Sequence, residues 1–127
     1  MTVNDPDVLA EVENLCEAYE RALGANDLEA LDSFFWPDAR TVRLGVGENL
    51  FGIGEIREFR KGRAGGSPDR KVLRMEITTF GSDFAVSNVL FQRTGQKAIG
   101  RQSQSWARFA DGWRIVSAHV SIMRDFA

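Results

Sequence analysis

The sequence predicts an α+β fold, with helices gathered at the front of the chain and a long antiparallel sheet behind them. Three observations carry this. Apolar residues keep helical spacing up to Pro37; the chain after the loop "AGGSPD" reads as strand nearly throughout; and the joints there, "GSD" and "TGQK", are of hairpin length. With 127 residues, 43% of them hydrophobic and 27% charged, the chain fits one soluble domain, 1–127, able to bury a core without staples.

Asp5-Pro6 opens the first helix, a capping side chain followed by proline at the position where a missing N–H costs nothing. Val8, Leu9, Val12, Leu15, Cys16, Tyr19, Ala22 and Leu23 form its apolar stripe, and Gly24 is placed to end it in the left-handed region. Asn26 or Asp27 caps a second, shorter helix with Leu28, Leu31, Phe34 and Phe35 on its buried side, which Pro37 breaks. "ARTVRLGV" and "ENLF" read as two short strands across a glycine bend, and "GIGEIREFRKGR" as a third helix with Ile53, Ile56 and Phe59 inward. Four strands follow: "KVLRMEITTF", "DFAVSNVLFQR", "AIGRQSQSWARF" and "GWRIVSAHVSIM".

The last two join through Asp111-Gly112, the pair a two-residue hairpin loop prefers. With that loop Ala110 faces Trp113, Arg108 faces Ile115, Trp106 faces Ser117 and Gln104 faces His119. One face then collects Gln102, Gln104, Trp106, Ser117 and His119; the other collects Ala107, Phe109, Val116, Ala118, Val120 and Ile122. A sheet with helices on one side buries its second apolar face only against another molecule, so a homodimer through the outer face is expected.

A net charge of −2 gives no broad attraction to nucleic acid or to an anionic membrane. Basic residues are nevertheless dense from Arg57 to Arg74. Two readings stay open for them: a solvated surface, or arginines that guide an anionic ligand inward. Cys16 is alone, so no disulfide framework exists within the chain. "MTVNDPDVLAEV" lacks the basic start and apolar core of a signal peptide, and no apolar run approaches a membrane span, so a cytoplasmic protein is expected. No GxSxG elbow is present, one histidine and one cysteine make a poor zinc site, and the glycines of "RLGVGENLFGIG" do not open a βαβ phosphate helix. No cofactor or metal is called for.

"AYERALGANDLEALDSFFWPDARTVRLG", with a helix after a glycine and a final "GWRIVSAHVS", resembles the SnoaL-like superfamily, built on the cystatin-like cone of nuclear transport factor 2. Within it, "RTVRLGVGENLFGIGEIREFR" and "IGRQSQSWARFADGWRIVSAHVS" are similar to the AtzH-like, or oxalurate-catabolism, proteins. The resemblance implies a curved sheet wrapped around the N-terminal helices to leave a closed-ended pocket. It also implies work on small nitrogenous carboxylates such as carboxylated ureas, in association with an amidase-signature amidohydrolase. Tyr19 and Arg43 match the tyrosine and arginine of that family's pocket.

From the residues alone, Tyr19 is either a core aromatic or a phenol offered to a substrate carbonyl. Arg43, between Val42 and Leu44, either holds a carboxylate through two parallel hydrogen bonds or pairs with Glu48. Gln104 and His119 offer donors and acceptors suited to a urea-like substrate, with Trp106 and Ser117 as pocket walls and Trp113 as core. A cysteine hydrolase using Cys16 and His119 is the sharper alternative, though a buried helical cysteine is usually inert. An isomerase or dehydratase would want an Asp or His base, and Asp32 and Asp38 lie near element ends where capping competes. The expectation is a small cofactor-free amidohydrolase with Tyr19 and Arg43 catalytic. The alternative is a non-catalytic accessory protein that binds a small acid for a partner amidohydrolase.

Overall fold

The computed structural model describes residues 1–63 and 65–124. Asp5 caps α1 (Pro6–Ala25) by accepting from the N–H groups of Asp7 and Val8, 3.1 and 3.3 Å away. The helix runs past Gly24. Asn26, at φ 52 and ψ 42, supplies the left-handed residue instead, and the Asn26 and Asp27 amides take the carbonyls of Leu23 and Ala22. Asp27 then caps α2 (Leu28–Ser33) through the Ala30 amide. β1 (Val42–Leu44) and β2 (Asn49–Phe51) form a small hairpin that leads into α3 (Ile53–Gly62). The meander follows: β3 (Arg70–Phe80), β4 (Phe84–Arg93), β5 (Ile99–Phe109) and β6 (Gly112–Ile122).

The six strands make one curved, unclosed sheet in the order β2-β1-β6-β5-β4-β3. Neighbours are antiparallel except β1 and β6, which run parallel with Arg43 beside Ala118. α1 lies in the concave side. Val8, Val12, Cys16, Tyr19 and Ala22 meet Ala85, Trp106, Trp113, Ile115 and Ala118 there, while Leu31, Phe35, Leu50 and Ile56 close the core from α2, β2 and α3. Val12, Trp106 and Ile115 are wholly covered, and side chains of this size contribute roughly 1.5–3 kcal/mol each on burial. No described helix is long and apolar enough to cross a membrane.

The last hairpin departs from the expected register in two places. Phe109 pairs with Gly112, so the loop residues are Ala110 and Asp111; neither has positive φ, and Gly112 absorbs the turn at φ 120. Farther along, Trp106 pairs with Ile115 but Ser105 pairs with Ser117, which leaves Val116 as an extra residue in β6. One extra residue exchanges the two faces of everything beyond it. Ala118 and Val120 are therefore buried on the concave side, with Ile122 packed beside Val89 and Phe91, whereas Ser117 and His119 are exposed on the outer side. The outer face of β5 and β6 carries Arg101, Ser103, Ser105, Ser117, His119 and Ser121. The apolar surface from which a homodimer was expected is thus not assembled on one face.

Candidate functional site

Helical spacing turns Tyr19 inward one turn after Cys16, and the residue is 4% exposed. Its ring meets Phe34 edge-on, with centroids 5.4 Å apart, and Phe34 meets Trp106 edge-on at 6.4 Å. This aromatic stack fixes the ring from behind. The Tyr19 hydroxyl has no hydrogen-bond partner among the described residues, and Tyr19 lines a cavity of about 30 Å³.

Five arginines line the same cavity: Arg43 from β1, Arg60 from α3, Arg63 just after it, Arg70 at the start of β3 and Arg93 at the end of β4. Arg43 Nη1 donates to Glu48 Oε1 at 3.0 Å, and Arg60 Nε donates to Asp32 Oδ1 at 2.9 Å. Arg70 is clamped between Glu20 of α1 and Gln102 Oε1 of β5, the latter at 3.1 Å, and lies over Phe91 at 4.4 Å. Arg63 gives one N–H to Ser67 Oγ at 2.9 Å and stands 3.9 Å from Glu48. Arg93 has no carboxylate within 4.0 Å among the described residues. Among the described residues, five guanidinium groups thus face three carboxylates, Glu48, Asp32 and Glu20, which leaves the arginines two charges in excess. The strain shows on Arg63. Burial, and then the neighbouring Arg43, pull its pKa below the usual guanidinium range, with Arg60 and Arg93 acting the same way and Glu48 opposing.

The cavity shares Arg43, Arg63, Pro68, Arg93 and Val120 with an outer bowl of about 340 Å³, whose rim adds Val46, Glu48 and Gly66. The floor of this funnel is aliphatic and aromatic, Val120 and Phe91, which keeps the local dielectric low and strengthens any ion pair made above it.

Tyr19 and Arg43 line the same cavity. Arg43 both pairs with Glu48 and faces the cavity, so its two readings coexist. Gln104 and Trp106 are buried but lie in a separate network rather than on the cavity wall. Trp106 Nε1 donates to Ser87 Oγ at 3.2 Å, and Ser87 Oγ donates to Gln104 Oε1 at 3.4 Å. His119 and Ser117 do not reach the site, because the extra residue at Val116 turns them outward. The Cys16 and His119 pairing falls with them: Cys16 is buried on the concave side, and burial pushes its thiol up to about 11. Asp32 and Asp38 are engaged with Arg60 and Arg40. Sequence reasoning placed Gln102 on the same face as Gln104 without assigning it to the site, and missed Arg93, which nothing local marks. Of the Arg57 to Arg74 run, Arg60, Arg63 and Arg70 line the cavity, while Arg57, Lys61, Lys71 and Arg74 are exposed.

An N-terminal helix cradled by a curved, mostly antiparallel, unclosed sheet is the architecture of the nuclear transport factor 2-like, cystatin-like proteins. A superfamily protein from Salmonella enterica superposes with a TM-score of 0.76 at 23% identity, over 95% of this chain and 94% of that one. The chain belongs to the AtzH-like family, whose model matches residues 1–125. A protein of unknown function from Pectobacterium atrosepticum is 52% identical, with a TM-score of 0.93 over 96% of this chain and 95% of that one. A cystatin-like fold protein from Burkholderia xenovorans is 44% identical, with a TM-score of 0.93 over 98% of each chain. No curated protein matches the sequence.

Proposed function

We propose that the funnel binds a small carboxylate-bearing nitrogen compound and that the protein is a cofactor-free hydrolase of a non-peptide C–N bond in a carboxylated urea or an oxalurate-like amide. One observation carries the proposal: among the described residues, a Tyr19 hydroxyl without a hydrogen-bond partner shares a cavity with five arginines that exceed their carboxylate partners by two. Membership of the AtzH-like family supports a small enzyme-like or accessory protein and leaves the reaction to be tested.

In this reading the free edge of Arg43 holds the ligand carboxylate through two parallel N–H···O bonds. Tyr19 donates its hydroxyl hydrogen to the neighbouring carbonyl oxygen, stabilising the charge that forms there as water adds to the carbon. The C–N bond then breaks and the nitrogen leaves with a proton from the water. A carbamate product loses carbon dioxide to give ammonia or an amine. Gln102, held by Arg70, and the Phe91 ring bound the far side of the site.

The test is release of ammonia and carbon dioxide from oxalurate and carboxylated ureas. Wild-type protein should release both above the buffer rate, Tyr19→Phe should lower release by about a hundredfold or more with binding nearly intact, and Arg43→Lys should weaken binding. Unchanged release in Tyr19→Phe would refute the assignment. Among the described residues Glu48 is the one carboxylate on the funnel lining, already paired with Arg43, and this favours a second reading in which the site binds without turnover. Ligand binding by wild-type protein with release at the spontaneous rate would establish that accessory role.

A further inference from the structure

Among the described residues, the polar side chains on the funnel lining are mostly hydrogen-bond donors. Guanidinium groups have no acceptor atom, and Gln102 Oε1 and Ser67 Oγ are already taken by Arg70 and Arg63. The Tyr19 hydroxyl can donate or accept, and among the described residues the one charged acceptor on the lining is Glu48. Its carboxylate sits on the rim, with the side chain 18% exposed, between Arg43 and Arg63. Oε1 accepts from Arg43 Nη1 at 3.0 Å, and Oε2 accepts from the Gly47 amide at 3.1 Å. A carboxylate offers about four lone-pair sites, so acceptor capacity remains. Only one nitrogen of Arg43 is used, which leaves the rest of its fork for a ligand.

The local backbone is built to bring this carboxylate inward. The Gly45 amide donates to the Glu48 carbonyl at 2.8 Å and closes the turn between β1 and β2. A Cβ at Gly45 would lie 1.7 Å from Glu48 Oε1, so only glycine lets the side chain fold back over the turn onto Arg43. Gly45 has no positive φ, so the space, not the backbone conformation, is what requires glycine there.

We infer that Glu48 is the specificity-determining residue of the funnel, accepting a hydrogen bond from an N–H adjacent to the ligand's carboxylate while the free edge of Arg43 takes the carboxylate itself. The inference rests on the proposed carboxylate site and adds what that site selects. A plain anion placed on Arg43 faces the Glu48 charge with nothing to offer it. An amide or urea nitrogen next to the carboxylate turns the same encounter into a charge-assisted hydrogen bond. The site then prefers nitrogenous acids over carboxylates of the same size and charge.

The test compares two monoanions, oxamate and monomethyl oxalate, which differ in carrying NH2 or OCH3 beside the same carboxylate. Calorimetric titration of the full chain should show wild type preferring oxamate by roughly tenfold. Glu48→Ala should bring the ratio close to one, through weaker oxamate and equal or tighter ester binding. Gly45→Ala keeps Glu48 but displaces its carboxylate, and should lose the preference likewise while the thermal midpoint shows both variants folded. A wild-type preference that survives in both variants, or a wild type that binds the two anions equally, would overturn the role of Glu48 alone. Wild-type protein that binds neither anion would overturn the carboxylate site as well.

Discussion

Replacing Gly100 by alanine should damage both the fold and the funnel, for a reason that can be worked out in ångströms. Gly100 lies on the concave side of β5 opposite Phe91, and an added Cβ would fall 2.2 Å from two carbons of the Phe91 ring. Ordinary contact begins near 3.4 Å, so ring or strand must retreat by about 1.2 Å. Phe91 is 1% exposed, and Arg70 lies over its face at 4.4 Å. Overpacking of a closed site costs typically 1–3 kcal/mol, or roughly 4 °C of thermal midpoint per kcal/mol for a domain of this length. Urea denaturation should therefore show a lower midpoint with an unchanged slope, and oxamate titration should show weaker binding as Arg70 shifts. Phe91→Leu in the same chain should recover part of both losses, since a smaller side chain restores the missing space. A Gly100→Ala variant within about 0.5 kcal/mol of wild type would refute the packing argument.

Gly24→Ala should act in the opposite direction: the site lies inside α1 with nothing within 4 Å of a new Cβ, and the gain should be about 0.5–1 kcal/mol in equilibrium unfolding. Cys16 should make stability fall in alkali. Its folded pKa, raised by burial from 9.0 to about 11, lies above the unfolded value, so its contribution is intact below pH 9 and is lost as the pH rises towards 11. Two units correspond to about 3 kcal/mol, and Cys16→Ala should unfold with a visibly flatter dependence between those limits; parallel curves for the two proteins would contradict this.

The elements were largely legible in the sequence because each is signalled locally. Asp5-Pro6, the stripe from Val8 to Leu23, and the turn residues between strands lie within a few positions of what they specify. Gly24 was misread as the end of α1 because glycine and asparagine both accept the left-handed conformation, and the choice of Asn26 depends on where Asp27 caps the next helix. The face of His119 and Ser117 was not legible, since alternation gives the face only while strand pairing is unbroken, and nothing in "RIVSAHVS" marks Val116 as unpaired. Tyr19 and Arg43 were found through family likeness, which alternation alone does not supply: Arg43 is the polar member of its strand, yet it points inward. The arginine cluster draws on α3, β3 and β4 as well as β1, and such convergence is a property of the assembled sheet.

The unpaired position in β6 has a wider consequence. It works as a phase shifter: an insertion or deletion that cancelled it would trade the aliphatic lining contributed by Ala118 and Val120 for hydroxyl and imidazole groups, without altering the chemistry of any individual side chain. A single change of length in this strand therefore exchanges two concave-side residues at once, where substitution needs a separate change at each position.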